Sequence, residues 1–347
     1  MIKKYCLLLV VISFSMTKNI QSASAADDSD SKSTQHEYHS FVREGTSTKS
    51  VQNFNIYGSL EPIPDRIKFG FYSVNNARKK GYSNQDAASI GSYGEPDAPV
   101  FIFTVCDGHG DEPQATQIAQ SVTLWWLQSL FAQKEALGLD WNMQEIYFRA
   151  AENVQHQSEL REGGHSAGTT MTSVIFYVDQ NNQPQAIFSN VGDSRSLLVR
   201  NGRCLYSTTD HKPSQPEEKE RIEKLGGTLL RIDEKRGIYR IDAGNKLAVS
   251  RTFGDSKDRP FVIETPTNHK METVQVGDYF VLATDGFWDI VDNEKIAREL
   301  KKMEANQESL QAFVTRIVQE MGQQKSRTNP EKYKQSDDIT LLIIKIK

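Results

Sequence analysis

The stretch FTVCDGHG, residues 103–110, ends an almost wholly apolar run, residues 100–106, on a carboxylate, two glycines and a histidine. An apolar run of this length is typical of a buried strand. A charge at the end of such a strand is costly unless a salt-bridge partner, a set of backbone donors or a metal ion compensates it. The sequence therefore predicts a strand that ends at Asp107, a residue that needs a partner from elsewhere in the chain.

Length and charge narrow the class of protein. The chain has 347 residues, of which 37% are hydrophobic, and a formal net charge of −4. This length suits one large domain or two modest ones. A negative chain without a long basic block is unlike proteins that bind nucleic acid through phosphate contacts. We therefore expect a folded globular protein without a nucleic-acid partner.

The first residues have the pattern of a secretory signal peptide, predicted here as residues 1–26. Two lysines precede the apolar residues 6–14, and the small-residue stretch SASAADD follows at residues 22–28. This order of basic region, apolar core and A-x-A-like site indicates export, and the apolar part is short for a transmembrane helix. We expect cleavage near Ala25 or Ala26, no stable membrane span afterwards, and a secreted or periplasmic protein; an uncleaved anchor is the alternative.

The rest of the chain divides into two parts. Residues 27–64 are rich in Ser, Thr, Gln, Asn and charged residues, which predicts a polar linker or N-terminal extension. Residues 65–347 have a globular composition without an internal repeat, so they are expected to form one domain. Beyond the signal peptide only Cys106 and Cys204 remain. Their apolar surroundings favour two free thiols, and one disulfide is the alternative in an oxidising compartment.

Apolar runs predict six strand regions, and helical periodicity predicts three helices. The strand regions are residues 100–106, 169–178, 185–191, 196–206, 279–284 and 339–347. Asn201-Gly202 indicates a two-residue hairpin turn inside the fourth region. The helical stripes are Ile118, Val122, Trp125 and Leu130, then Ile146, Ala150 and Val154, then Leu310, Phe313, Val314, Ile317, Val318 and Met321. This order predicts an α+β fold of antiparallel sheets flanked by helices, although periodicity alone leaves other mixed architectures open.

Three aspartate sites stand at the ends of predicted strands. Asp107 follows FIFTVC, Asp285 follows YFVLAT, and Asp337 with Asp338 precedes ITLLIIKI. A single Asp there is ordinarily a turn residue, but three converge if their strands are neighbours. Converging carboxylates repel, and hard divalent cations such as Mg²⁺ or Mn²⁺ relieve the repulsion. Gly108, which lacks Cβ, could offer its carbonyl to such an ion.

The other residues that can bind metals do not indicate zinc. The seven histidines are scattered, and no His/Cys cluster has zinc spacing. Only His109 lies inside a carboxylate motif. It is a candidate for proton transfer, with a structural or surface role as the alternative.

Taken together, these residues resemble the motifs of the metal-dependent serine/threonine protein phosphatases, the PPM or type 2C family. The motifs occur in the family's order: VCDGHG at 105–110, SAGTT at 166–170, NVGDSR at 190–195, TTDHKPSQPEEKERIEKLGG at 208–227, LAVSRTFGD at 247–255, VLATDGFWDIV at 281–291 and SDDITLLIIKI at 336–346. The resemblance covers roughly residues 69–347. It implies two central antiparallel sheets packed as a sandwich and flanked by pairs of helices.

The resemblance also implies a role for each matching residue of the central motifs. Asp107 corresponds to the carboxylate that bridges two metal ions, and Gly108 to the backbone carbonyl ligand of the first ion. Asp285 and Asp337 correspond to the carboxylates on the second ion. His109 corresponds to the proposed general acid.

Further aspartates match more peripheral positions of the family pattern. Asp193 and Asp289 correspond to residues that hold a third, weaker metal in some members, and Asp86 to an acidic residue that orients metal-bound water. Asp338 stands where the family commonly has Asn. Its extra charge could tighten metal binding or point to solvent.

The first motif, ARKKGYSNQD at residues 77–86, departs from the family pattern. Gln85 stands where Glu is usual, and Gly81 stands where the family has an arginine that grips the substrate phosphate. Arg78 or Lys80 could contact the phosphate instead, and a lysine would do so without a bidentate fork. A solvated basic loop is the alternative. A weaker grip predicts a higher KM, not loss of the chemical step.

The activity implied by the resemblance is hydrolysis of phosphoserine and phosphothreonine in proteins, by water activated at a centre of two Mg²⁺ or Mn²⁺ ions, with room for a third. Phosphorylated proteins are the expected partners, and a monomer is expected. The alternative is a non-catalytic relative that binds phosphoproteins. The presence of Asp107, Asp285 and Asp337 together favours the enzyme.

Overall fold

The computed structural model describes residues 54–57, 67–74, 83–93, 100–111, 113–141, 143–161, 163–233, 238–271, 274–322 and 337–347. The predicted signal peptide and the candidate phosphate contacts Arg78 and Lys80 lie outside these residues. Among the helices of the described part, none combines the length and the apolar character that crossing a bilayer requires.

Two β-sheets form the centre of the molecule. In spatial order, the first sheet contains β1 (Phe54–Tyr57), β3 (Asp86–Tyr93), β4 (Val100–His109), β6 (Met171–Val178), β7 (Pro184–Val191) and β13 (Thr267–Met271). The second contains β2 (Ile67–Val74), β15 (Ile339–Ile346), β14 (Tyr279–Ala283), β8 (Arg195–Arg200) and β9 (Arg203–Ser207). Neighbouring strands are antiparallel, apart from the parallel pair β1–β3. β1 lies in the segment predicted as linker or extension.

Shorter elements lie around these sheets. β5 (Gly168–Thr169) pairs with both β4 and β12 (Phe253–Gly254). A separate hairpin joins β10 (Leu229–Asp233) and β11 (Ile238–Ile241). The helices are α1 (Gln114–Leu137), α2 (Gln144–Glu159), α3 (Pro216–Lys224), α4 (Asp285–Trp288), α5 (Asn293–Ala305) and α6 (Leu310–Gly322).

Strand β4 is apolar because both of its faces are covered. Along β4, Phe101 and Phe103 face the second sheet and belong to the core between the sheets. Ile102 and Cys106, which alternate with them, belong to the core under the helices. Phe280 of the second sheet packs 6.2 Å from Phe103, measured between ring centroids. A strand between two apolar layers has no solvent face, so hydrophobic alternation is absent.

The helices cover the outer faces of the sandwich. α1 and α2 pack on the first sheet, and α4, α5 and α6 pack on the second. The predicted antiparallel sheets with flanking helices are therefore confirmed. The α1 stripe needs one correction: Trp126 is fully buried, whereas Trp125 is only partly buried at the edge of the core.

The predicted hairpin turn at Asn201-Gly202 is confirmed, since it lies between the paired strands β8 and β9, with φ of 51° at Asn201 and 77° at Gly202. One predicted strand region is divided. The run 169–178 is interrupted at Thr170, between β5 and β6. Both remaining cysteines are free thiols.

Candidate metal centre

The first sheet places two of the predicted acids side by side. In the antiparallel pair β3–β4, Asp86 lies directly opposite Asp107, an arrangement that puts the Cα atoms about 5 Å apart. Beside this pair, the Gly108 amide donates to the Gln85 carbonyl over 3.1 Å. Two carboxylates thus meet at one end of the first sheet.

The second sheet adds two more acids at the ends of neighbouring strands. Asp285 comes two residues after the end of β14, and Asp337 comes two residues before β15 begins. The Thr284 amide donates to the Thr340 carbonyl over 3.2 Å, which continues the β14–β15 pairing up to these acids. We call Asp86, Asp107, Asp285 and Asp337 the carboxylate cluster.

Electrostatics link the two halves of this cluster. Burial raises the pKa of Asp285 to about 8, and the nearby charges of Asp193 and Asp337 contribute to the rise. Burial raises the pKa of Asp107 well above its usual range, and Asp86, Asp285 and Asp337 raise it further. Asp285 and Asp337 of the second sheet therefore act on Asp107 of the first, which brings the two halves of the cluster together.

The cluster has the donors that a hard divalent cation prefers. Asp285 Oδ1 is buried and accepts no hydrogen bond from the described residues. Gly108 lies so close to its neighbours that a Cβ there would come 2.6 Å from the Gln85 carbonyl oxygen and 2.8 Å from that of Ala115. In the described ranges no three Asp, Glu, His or Cys side chains already close around one point. The residues fit Mg²⁺ or Mn²⁺, which commonly complete their coordination with water and backbone oxygens.

A polar network beneath the cluster joins the two sheets. The Thr284 hydroxyl donates to Asp86 Oδ2 over 3.0 Å and accepts from the Thr340 amide over 3.0 Å. Thr340 Oγ1 lies 2.7 Å from Ser73 Oγ, which accepts from Asn84 Nδ2 over 2.7 Å. The sequence analysis missed this network because isolated Ser and Thr residues inside strands carry no pattern.

Asp338 does not point to solvent, which was one of the two alternatives for it. Its side chain is buried, and Oδ2 accepts from the Gln85 amide over 2.9 Å. Asn at this position could accept the same hydrogen bond without a charge. The additional negative charge helps to raise the pKa of Asp86, after burial as the larger cause.

Lys212 places a positively charged side chain beside Asp193 and Asp289, the two residues matched to a third metal. Lys212 Nζ donates to Asp193 Oδ2 over 2.6 Å. Burial would lower the pKa of Lys212, but Asp193 outweighs it and raises that pKa above its ordinary value. Asp289 is exposed as a residue, but partial desolvation of its carboxyl group raises its pKa, and the charge of Lys212 opposes this rise. Lys212 lies in the quoted stretch 208–227, but no role was predicted for it.

His109 lies at the end of β4 and forms an ion pair. Its Nε2 is 2.7 Å from Asp255 Oδ2, and the side-chain exposures are 26% for His109 and 0% for Asp255. Burial alone would lower the pKa of His109, but Asp255 raises it above the ordinary value. Asp255 ends the quoted motif LAVSRTFGD, and the sequence analysis assigned it no function.

Comparisons with known proteins identify the family of this chain. The family model for protein phosphatase 2C matches residues 67–329. "Probable protein phosphatase 2C 59" of Oryza sativa subsp. japonica is 28% identical over 284 residues, which cover 81% of this chain and 76% of the relative. Human "Protein phosphatase 1B" is 33% identical over 165 residues, or 45% of this chain and 31% of that protein. The matches span 46% to 66% of the length of four Arabidopsis thaliana relatives.

Solved structures show the same fold. The serine-threonine phosphatase 2C from Toxoplasma gondii superposes with a TM-score of 0.63 at 18% identity, covering 81% of this chain and 95% of that one. A Caenorhabditis elegans sex determining protein gives a TM-score of 0.61 at 20% identity, covering 81% and 64%. With the family model matching most of its length, the chain belongs to the protein phosphatase 2C family.

Proposed function

We propose that this chain hydrolyses phosphoserine and phosphothreonine in proteins, using two Mg²⁺ or Mn²⁺ ions at the carboxylate cluster. The observation that carries the proposal is the meeting of carboxylates from both sheets, where burial and, after it, neighbouring acids raise the pKa of Asp107 and Asp285. Family membership supports the reaction type. Asp107, the Gly108 carbonyl, Asp285 and Asp337 would hold the ions.

Bound there, hard divalent cations supply the Lewis acidity that lets water act as a nucleophile at neutral pH. Asp86 is suited to orient that water, because Thr284 and the Asn84 side chain hold it on both sides. Thr284 donates to its carboxylate over 3.0 Å, and Asn84 Oδ1 accepts from its amide over 2.9 Å. A carboxylate held in a fixed orientation can keep the attacking water in the geometry that the reaction requires.

His109 is suited to protonate the departing seryl or threonyl oxygen. The ion pair with Asp255 raises its pKa, so a larger fraction of the imidazole carries a proton near neutral pH. General-acid catalysis of this kind is typically worth about 10²–10⁴-fold in rate. Arg78 and Lys80 remain candidates for the substrate phosphate, and we place a weaker third cation, when present, near Asp193 and Asp289.

For the whole protein we propose phosphorylated proteins as substrates, a monomeric state and export by way of residues 1–26. The pattern of basic, apolar and small residues supports export. N-terminal sequencing of the protein from its source cells is the test. A mature chain that starts near Ala26 or Asp27 is expected, and a chain that retains Met1 would remove the basis for export.

The activity is tested with the purified full chain, p-nitrophenyl phosphate and a phosphoserine peptide, each with Mn²⁺ and with a chelator. We expect phosphate release that needs Mn²⁺ and that Asp285→Asn abolishes. Asp292→Asn is the matched control: it removes the same charge seven residues away, and Asn can still cap α5, where Asp292 Oδ1 accepts from the Lys295 amide over 2.7 Å.

The assay also separates the enzyme from the phosphoprotein-binding alternative. Wild-type protein that releases no more phosphate with Mn²⁺ than the Asp285→Asn variant would contradict the proposed activity. If that protein still bound a phosphoserine peptide in preference to its unphosphorylated form, the binding module would be the better description.

A further inference from the structure

We propose that Asp255 is the residue that positions His109 for catalysis, by holding Nε2 of its imidazole so that Nδ1 is the nitrogen left for the substrate. This inference rests on the proposed phosphatase function and assigns a role to a residue outside the metal ligands. The ring makes its 2.7 Å contact with Asp255 through Nε2 and no other side-chain hydrogen bond to the described residues.

The strands β4, β5 and β12 bring the two residues together from 146 positions apart. His109 of β4 pairs with Gly168 of β5, and Gly168 in turn pairs with Gly254 of β12. Asp255 follows Gly254 directly, so its side chain has to cross β5 to reach His109. It can do so because position 168 is glycine: a Cβ there would collide with Asp255 Oδ2.

The backbone around Asp255 is held as firmly as its side chain. Asp255 adopts the left-handed conformation, with φ of 50°, and its amide donates to the Ala167 carbonyl over 3.2 Å. Gln155 of α2 fixes the preceding residue, because it accepts from the Gly254 amide over 2.9 Å and donates to the Gly254 carbonyl over 3.1 Å. A non-glycine residue in this conformation is uncommon, and here the surroundings determine it from both sides.

A buried carboxylate that accepts from one imidazole nitrogen selects the tautomer and fixes the ring plane. With Nε2–H donating to Asp255, a protonated His109 has its second N–H at Nδ1. As the bond between phosphorus and the seryl oxygen breaks, its electron pair goes to that oxygen, which takes the Nδ1 proton. His109 becomes neutral and Asp255 stays ionised throughout.

The test compares two substrates, a phosphoserine peptide and p-nitrophenyl phosphate, whose leaving groups differ in whether they must be protonated. The seryl alkoxide of a phosphoserine peptide is strongly basic and needs a proton, whereas p-nitrophenolate leaves without one. For Asp255→Asn we expect kcat on the peptide to fall by about 10- to 100-fold. On p-nitrophenyl phosphate, kcat should fall by less than about 3-fold, and KM should change little on either substrate.

A double-mutant cycle and a matched control separate positioning from folding. In a His109→Ala background, Asp255→Asn should cause no further loss on the peptide, because the effect passes through His109. Asp278→Asn removes another buried carboxylate, one that accepts from Arg200 over 2.7 Å at the opposite end of β14 from Asp285. It should affect both substrates alike.

A second measurement does not depend on any variant that must stay active. Long-range ¹H–¹⁵N correlation of the neutral His109 ring, with the signal assigned from its loss in His109→Ala, should show the proton on Nε2. A proton on Nδ1 would overturn the proposal, as would equal losses on both substrates or an additive double mutant. A wild-type protein inactive on both substrates would instead refute the proposed function, and this inference with it.

Discussion

Two acidic sites in this molecule have opposite surroundings. In the carboxylate cluster, burial and neighbouring acids raise the pKa of Asp107 and Asp285. Glu218 of α3 is buried, and burial would raise its pKa, but Arg251 and Arg221 lower it to about 2. Arg221 donates to Glu218 over 2.9 Å, and Arg251 binds it through two nitrogens.

The contrast separates a structural acid from a functional one. The charge of Glu218 is compensated by Arg221 and Arg251 of the same chain. Its contact with Arg251 also links α3 to the segment that contains this arginine. In the carboxylate cluster, Lys212 opposes the rise in the pKa of Asp285, but burial and the other acids outweigh it. Acids with raised pKa values are typical of sites that bind ligands or catalyse reactions.

The largest effect is expected at Asp107, which lies opposite Asp86 and faces acids from both sheets. Asp107→Asn should lower kcat by about 10³-fold, or ~4 kcal/mol of transition-state stabilisation, because it removes a carboxylate that we propose holds the metal ions. Steady-state kinetics with Mn²⁺ and p-nitrophenyl phosphate provide the measurement. A variant that retains more than a tenth of wild-type kcat would contradict the assigned role.

The second prediction concerns Glu218, the acid that is paired with two arginines. Glu218→Gln leaves the charges of Arg221 and Arg251 without their carboxylate in a site where 4% of the Glu218 side chain is exposed. Breaking such a buried pair should lower the free energy of unfolding by about 3 kcal/mol. Chemical denaturation measures it. A change below about 1 kcal/mol would mean that Glu218 is as replaceable as a surface acid.

Asp285→Asn should act in the other direction when metal is absent. It removes one charge from a group of acids that repel, so the metal-free protein should gain roughly 1–2 kcal/mol of stability at pH 8. Thermal denaturation in chelator provides the test, with Asp292→Asn as the control that should change little. Destabilisation by Asp285→Asn without metal would show that the cluster is already compensated.

The same repulsion predicts how stability depends on pH. The folded protein binds a proton at Asp285 with a pKa of about 8, whereas the unfolded chain releases it near pH 4. Because the folded state holds more protons between these values, metal-free protein should lose stability as pH rises from 5 to 8. The melting temperature in chelator should fall by several degrees over this range. Glu218 should contribute no slope there, since its pKa is low in both states.

The smallest effect is expected at Lys212, the cation that pairs with Asp193. The Lys212 side chain is 35% exposed, so Lys212→Met should destabilise the metal-free protein by only about 0.5 kcal/mol. Saturating Mn²⁺ should reduce the difference between variant and wild type. A difference that grows with Mn²⁺ would show that Lys212 supports metal binding instead of substituting for a cation.

The sequence predicted the fold best where local pattern and tertiary environment agree. The strands β4, β14 and β15 are covered on both faces and therefore read as continuous apolar runs. β3 was missed because its sequence, DAASIGSY, is small and polar. Its Gly91 leaves room for α1, where a Cβ would come 2.7 Å from Leu127 Cδ1. α5 was missed although Ile296, Leu300 and the cap at Asp292 carry a helical signal.

The candidate site was only partly predictable. Local pattern located strand-end acids, but it does not contain the strand order that brings residues of two sheets together; the family resemblance supplied that. The contacts made by His109 and Lys212 depend on residues 146 and 19 positions away. Neither partner forms a motif with the residue that it binds, so no spacing could indicate these pairs.

Calorimetric titration of the metal-free full chain with Mn²⁺ measures whether the carboxylate cluster binds hard cations. We expect at least two bound ions in the wild type and in the Asp292→Asn control, and fewer in Asp107→Asn and Asp285→Asn. Wild-type protein that takes up no Mn²⁺, or Asp107→Asn and Asp285→Asn variants that bind as many ions as the wild type, would contradict the proposed metal centre.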